Sequence, residues 1–307
     1  MQHTSFHHSL IALMMLCLPA ATPATAQVQE MEVNIFEMMK QTDKAVVVTV
    51  HTGSQDPFVL ERYRRFNSMI KQVYPNCEHR EAWTSREMIS ACDAMKASTL
   101  HTPDELLNLL AKDGYTHVLL QSSCLANDTE MQSLRHVVDN TSGMFKQIRI
   151  GEPLLSSTED YEDVVNATTH AFGNSKTASL IILDEGEGDD NAQLALLDYV
   201  FKDKGLSTWY VGTTDGYPSF DSLIRRLKHD KMKKVRLIPF SFNASSTTIS
   251  QSISTWAEEL KKAGCKVTAE SKNVCDLDEI ITIMRNHCKH AEEYRKLTAK
   301  EMQFIRK

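Results

Sequence analysis

The stretch Ser179-Leu180-Ile181-Ile182-Leu183-Asp184-Glu185-Gly186-Glu187-Gly188-Asp189-Asp190 reads as a short apolar strand that runs into an acidic turn. The apolar half has the length of a strand buried on both faces, and a helical pattern follows the turn, so the stretch is one β-turn-α unit. In an open α/β sheet the loops at the carboxyl ends of the strands line the ligand crevice, which puts five carboxylates where ligands bind. Such a turn attracts a cation and repels an anion. Gly186 and Gly188 suit a sharp bend, but the negative charge opposes a phosphate cradle at the helix start. A solvated surface loop would carry the same residues, and the sequence leaves both readings open.

Outward from this unit, apolar runs alternate with segments of helical period almost from end to end, the pattern of repeated βα units on parallel sheets. Expected strands are Ala45 to Val50, Glu78 to Trp83, Thr116 to Gln121 and Gln147 to Ile150. A second set is Ser179 to Leu183, Ser207 to Val211, Lys234 to Phe240 and Lys266 to Ala269. About four strands in each set predict an α/β fold of two similar lobes, each a mainly parallel sheet flanked by helices. Thr102-Pro103-Asp104-Glu105 supplies a helix start with a capping box, and Gly114, Gly205 and Gly264 are placed to end helices. Asp276 with Glu279 is expected to open the last helix. Leu106 to Ser122 aligns without gaps on Leu223 to Pro239, mostly at core positions, as two copies of one architecture would.

Leu10 to Leu18 is an unbroken apolar run, too short to span a bilayer, and Ala24-Thr25-Ala26 has the small-x-small form cut by signal peptidases. The expected organisation is a signal peptide at 1–26, lobes at 27–152 and 153–290, and a charged helical tail at 291–307. The mature chain is expected to be periplasmic or secreted, without a transmembrane segment. The formal net charge of −6 argues against nucleic acid as a partner. Six cysteines follow residue 26 with no CxxC or Cys/His ligand spacing, which favours buried free thiols over a zinc site. Met38, Met39, Met69, Met88 and Met95 read as adaptable core filler.

Five segments stand at expected strand ends: His51-Thr52-Gly53-Ser54, Trp83-Thr84-Ser85, the acidic turn, Gly212 to Pro218, and Pro239 to Ser245. With these in place the chain resembles the class II tetrapyrrole metal chelatases, and within them the anaerobic cobalt chelatases acting on sirohydrochlorin. The resemblance rests on Ala82-Trp83-Thr84-Ser85 with Met88-Ile89, Thr102-Pro103 to Gly114-Tyr115, and Leu120-Gln121-Ser122. It continues through Gly151-Glu152-Pro153-Leu154-Leu155-Ser156, Leu197-Asp198-Tyr199-Val200, Val211-Gly212-Thr213 to Tyr217-Pro218, and Leu237-Ile238-Pro239. It implies two α/β lobes with a cleft between them and insertion of a divalent metal into a tetrapyrrole.

Position by position, the resemblance places the family's metal-binding His on Glu185, its Glu on Asp215, a second His on or near Thr247, and a further His on Cys124. Glu185 and Asp215 are thereby the candidate catalytic pair, and with the position of Thr247 the candidate metal site. His51, Thr52, Ser85, Cys124 and Glu187 are the candidate tetrapyrrole contacts. Carboxylates in place of imidazoles make a hard oxygen site that favours calcium, magnesium or manganese over cobalt or nickel. His51 would replace one imidazole, or pack as an ordinary strand-end residue.

Three readings follow. The first is an exported, chelatase-like protein that binds a tetrapyrrole and inserts or removes a divalent metal, cobalt or iron. The second is a chelatase-derived haem or tetrapyrrole binder without catalysis, and the third a two-lobed small-ligand binding protein. Self-association of the chain is left open.

Overall fold

The computed structural model describes residues 30–37, 39–94, 100–174, 176–183, 192–214 and 216–296. Both sheets belong to one unit, Glu32–Arg295. The first is built from β2 (Ala45–His51), β3 (Glu78–Trp83), β4 (His117–Ser122) and β5 (Gln147–Ile150) in the order β3-β2-β4-β5, all parallel. The second repeats that topology with β6 (Ala178–Leu183), β7 (Trp209–Thr213), β8 (Lys234–Phe240) and β9 (Lys266–Ala269) in the order β7-β6-β8-β9. Short strands β1 (Glu30–Glu32) and β10 (Tyr294–Lys296) stand at the margins of the described chain.

Parallel sheets are covered on both faces, so alternate residues of one strand serve two cores. Val46, Val48 and Val50 of β2 with Val118 and Leu120 of β4 meet α3 (Pro103–Lys112) and α4 (Thr129–Thr141). Leu180 and Ile182 of β6 with Leu237 of β8 likewise meet α7 (Phe220–His229) and α8 (Ser246–Lys262). The opposite faces share a single core. Val47, Leu119, Ile181, Val211 and Ile238 join there with α1 (Pro57–Val73), α5 (Thr158–Phe172), α6 (Ala192–Asp203) and α9 (Asp278–Glu293).

The α3 punctuation is as expected: Glu105 N donates to Thr102 Oγ1 (3.3 Å) while Thr102 N donates to Glu105 Oε2 (2.9 Å). Gly114, Gly205 and Gly264 take φ of 79°, 74° and 89°, the left-handed turn that ends a helix.

Three details differ from expectation. β7 begins two residues later and continues through Gly212, because Trp256 of α8 packs where a side chain would stand; an added Cβ would lie 2.6 Å from its ring. Asp276 does not cap α9: its carboxylate accepts from Asn273 N (3.1 Å) and Arg62 Nε (2.8 Å), and α9 starts after Leu277 with no side-chain cap. At the other end α9 stops at Glu293, where the carbonyls of Glu292 and Glu293 accept from Ile35 N and Val33 N at 2.8 Å, and the chain turns extended. Although α9 follows the second sheet in sequence, it packs on β4 and β5 of the first and on α1 and α5.

Candidate functional site

The strands of the first lobe leave their sheet side by side, and backbone bonds join their exits. Thr84 N donates to His51 O (2.9 Å), Ser85 N to Thr52 O (2.8 Å), and Ser123 N to Val50 O (2.9 Å). Onto this edge α4 delivers Glu130 from its first turn, where Asp128 caps the helix by accepting from Met131 N (2.9 Å). Thr52 Oγ1 donates to both Glu130 oxygens at 3.0 Å, and Thr84 Oγ1 donates to Oε1. Burial pushes the Glu130 carboxyl up, the bonds from Thr84 and Thr52 pull it part of the way back, and Asp128 adds a push, so it stays above the usual carboxylate range. A carboxyl of this kind at a strand end is suited to accept and hold a proton.

His51 sits directly behind this group at 1% exposure. Its Nε2–H donates to Asn67 Oδ1 (2.9 Å) and its Nδ1 accepts from Ser123 Oγ (3.0 Å), the tautomer these partners require. The ring stacks on Tyr63 at 4.2 Å and touches Phe66 and Trp83. Burial drives the imidazole down to about 3, so it is neutral, and both ring nitrogens are occupied. Ser85 is half-buried and accepts from Met88 N (3.2 Å), opening α2 (Arg86–Ala94). Cys124 is a buried cysteine whose carbonyl accepts from Leu154 N (3.1 Å). Of the expected tetrapyrrole contacts, Thr52 and Ser85 are thus brought to one edge, while His51 and Cys124 lie beneath it.

Glu185, Glu187 and Asp215 lie outside the described residues. Thr247 is exposed in the first turn of α8. Among the described residues no group of three His, Cys, Asp or Glu side chains is placed to hold a metal ion.

The β8–α8 segment that carries Thr247 is bonded to the first lobe by α1. Asp56 caps α1 through Oδ1, accepting from Phe58 N (2.9 Å) and Val59 N (3.3 Å). Through Oδ2 it accepts from Ser246 N (2.9 Å) and Ser246 Oγ (2.5 Å). Tyr63 Oη donates to Asn243 Oδ1 (2.9 Å), and buried Arg62 donates to Phe242 O (3.0 Å). One carboxylate therefore organises the starts of two helices, α1 after β2 and α8 after β8.

Glu130 and Asp56 were not among the residues the sequence pointed to, and Thr84 stood there only as part of the Trp83-Thr84-Ser85 strand end and not as a site residue. The signal for Glu130 was its place two residues after the capping Asp128, in the first turn of the helix that follows buried β4; for Asp56 it was the Asp-Pro that opens α1.

The profile of the cobalt chelatase (CbiK) family matches residues 44–293. The sirohydrochlorin cobaltochelatase of Salmonella typhimurium is 26% identical over 207 residues, 64% of this chain and 78% of that protein. Among solved structures, SirB from Bacillus subtilis with Fe3+ superposes with a TM-score of 0.59 at 12% identity, covering 81% of this chain and 96% of SirB. DR2241 from Deinococcus radiodurans, a multi-domain protein with structural similarity to chelatases, gives 0.54 at 11% identity over 85% of this chain and 59% of its own. These two likenesses bear on the fold, and the profile match across both lobes bears on descent: the chain belongs to the cobalt chelatase family.

Proposed function

We propose that this protein binds a tetrapyrrole at the carboxyl ends of its strands, between the lobes, and inserts a divalent metal into it. The observation that carries the reading is Glu130, a carboxyl held above its usual range by burial and cradled by Thr52 and Thr84 at that edge. Metal insertion must remove the protons of the pyrrole N–H groups as the cation enters, so charge is conserved and a base is needed beside the ring. Glu130 is that base in this reading. The carboxylates of Glu185 and Asp215, at the family's metal positions by sequence, would deliver the cation as substrate, with Glu187 as a further oxygen donor. Cobalt and iron are the metals to test first. We also propose that the chain is exported and cleaved after Ala26, as its apolar run and Ala-x-Ala site suggest; N-terminal sequencing of the exported protein checks this.

Titration of the purified mature chain with sirohydrochlorin, followed by Co2+ or Fe2+, tests the function through the absorption bands. Binding should shift the bands at micromolar protein, and the metal should then convert them faster than in protein-free solution. No shift with sirohydrochlorin, protoporphyrin or haem would refute the proposal. A shift without faster conversion would refute its catalytic half.

A further inference from the structure

The edge opposite the candidate site, where β8 and β9 begin, carries lysines that the chemistry above does not use. Lys228, Lys231, Lys233 and Lys234 on the α7–β8 turn, and Lys261, Lys262 and Lys266 on the α8–β9 turn, are all exposed. The turns are neighbours: Lys266 N donates to Lys233 O (2.8 Å), and the parallel register sets Lys234 beside Lys266. Residues 228–234 and 261–266 together hold seven lysines and one acid, Asp230, in a chain of net charge −6. Asp230 is itself occupied by Tyr210 Oη (2.6 Å) and His229 Nδ1 (2.9 Å). Among the described residues, Lys262 alone of the seven meets an acid at ion-pair distance, Glu259 at 2.5 Å.

Folding accounts for some of these charges. Lys228, Lys261 and Lys262 stand in the last turns of α7 and α8, where a cation complements the helix dipole. Lys266 opens an edge strand, where lysine discourages pairing with another chain. Lys231, Lys233 and Lys234 have neither role, and Lys234 faces a like charge on the adjoining strand, which opposes folding.

We propose that this edge is a docking surface for an anionic lipid bilayer, which would hold the protein with its candidate site turned away from the membrane. Both turns use lysine and no arginine, Met232 and Cys265 between them are half-buried, and His229 is bonded to Asp230 (2.9 Å), so nothing there grips a single phosphate bidentately. Mobile point charges spread over two adjacent turns suit the diffuse field of a lipid surface, which attracts each lysine independently. The rest of the chain is net negative and is repelled, which fixes the orientation.

Co-sedimentation of the mature chain with vesicles of equal parts phosphatidylglycerol and phosphatidylcholine tests this. Binding should be present at low salt, absent at high salt, and absent on pure phosphatidylcholine. Lys231→Gln with Lys233→Gln and Lys234→Gln should weaken it on the order of a hundredfold, at about fivefold per lysine. Lys40→Gln with Lys112→Gln and Lys289→Gln, away from the patch, should leave it unchanged. The patch variant should melt no lower than the parent, since it loses only repulsion; if it does melt lower, Lys231→Gln alone, with the same fivefold expectation, decides. Absence of binding, equal binding to neutral vesicles, equal loss in both triple variants, or binding to heparin without binding to vesicles would each overturn the proposal.

Discussion

Thr84→Val removes one of the two hydroxyls that steady the ionised form of Glu130 while leaving the side chain's shape. A hydrogen bond to a charged acceptor contributes about 1.5 kcal/mol. Because one pKa unit corresponds to about 1.4 kcal/mol, the Glu130 carboxyl should move up by about one unit. Glu130 already lies above the usual carboxylate range, and a base works only when deprotonated, so the metallation rate should rise with pH. In Thr84→Val the midpoint of that rise should lie about one pH unit higher. Glu130→Gln should lower the rate by about 10²–10⁴ and flatten this limb of the profile. The stability sign separates catalysis from a structural role. A carboxyl whose folded pKa is raised loses stability as pH climbs from 4.5 through the folded value, so ionised Glu130 is a burden at neutral pH. Glu130→Gln, whose Oε1 still accepts from both threonines, should therefore melt no lower than the parent. The assay is initial metallation rate against pH on sirohydrochlorin and Co2+, with a thermal melt of each variant. An unchanged profile in both variants, or a loss of rate in Glu130→Gln that only parallels a loss of melting temperature, would refute the role.

Asp56→Ala removes a helix cap of about 1 kcal/mol and the bonds from Ser246 to a charged acceptor, about 2 kcal/mol in all for a half-exposed group, lowering the melting temperature by roughly 4–8 °C. In a double-mutant cycle with Ser246→Ala the two losses should be less than additive. Asp160 is pushed up by burial but pulled down further by the bond and charge of His287 and by Ser156 and Ser157, to about 2 from 3.8. Its contribution, about 2 kcal/mol, is present above pH 3.8 and lost as pH falls toward about 2; urea titrations from pH 5 downward should show that loss in the parent and not in Asp160→Asn. Gly212→Ala places a Cβ 2.6 Å from the Trp256 ring, which Phe220 holds edge-on at 4.7 Å, so overpacking should destabilise the chain by about 1–3 kcal/mol in urea. Glu185→His with Thr247→His should raise affinity for Co2+ by returning imidazole ligands to an oxygen site, as measured by calorimetry at neutral pH.

The strands and the helix ends were legible in the chain because their causes are local. Apolar runs such as Ala45–Val50 and Ser179–Leu183 are short and rich in β-branched or bulky apolar residues, as doubly covered strands are, and Thr102-Pro103-Asp104-Glu105 carries its cap within four residues. The family-like words, local in the same way, pointed to the carboxyl edge as the place to look for a site. What the sequence left undecided depends on partners far along the chain. Gly212 reads as the first residue past a strand ending at Val211 until Trp256 arrives from α8 to occupy its missing side chain. Asp276 reads as a cap until Arg62, 214 positions away, takes its carboxylate. Position 51 reads as packing more readily than as a ligand, and only the convergence of Ser123, Asn67 and Tyr63 makes it a neutral, enclosed ring. Glu130 is one more exposed-looking acid in a helical first turn until parallel pairing of β2 with β3 sets Thr52 and Thr84 side by side above it. Local pattern determined which elements form; the proton chemistry of the carboxyl edge was decided by burial and by hydroxyls from separate strands, because a pKa is a property of an environment that only the packed chain creates.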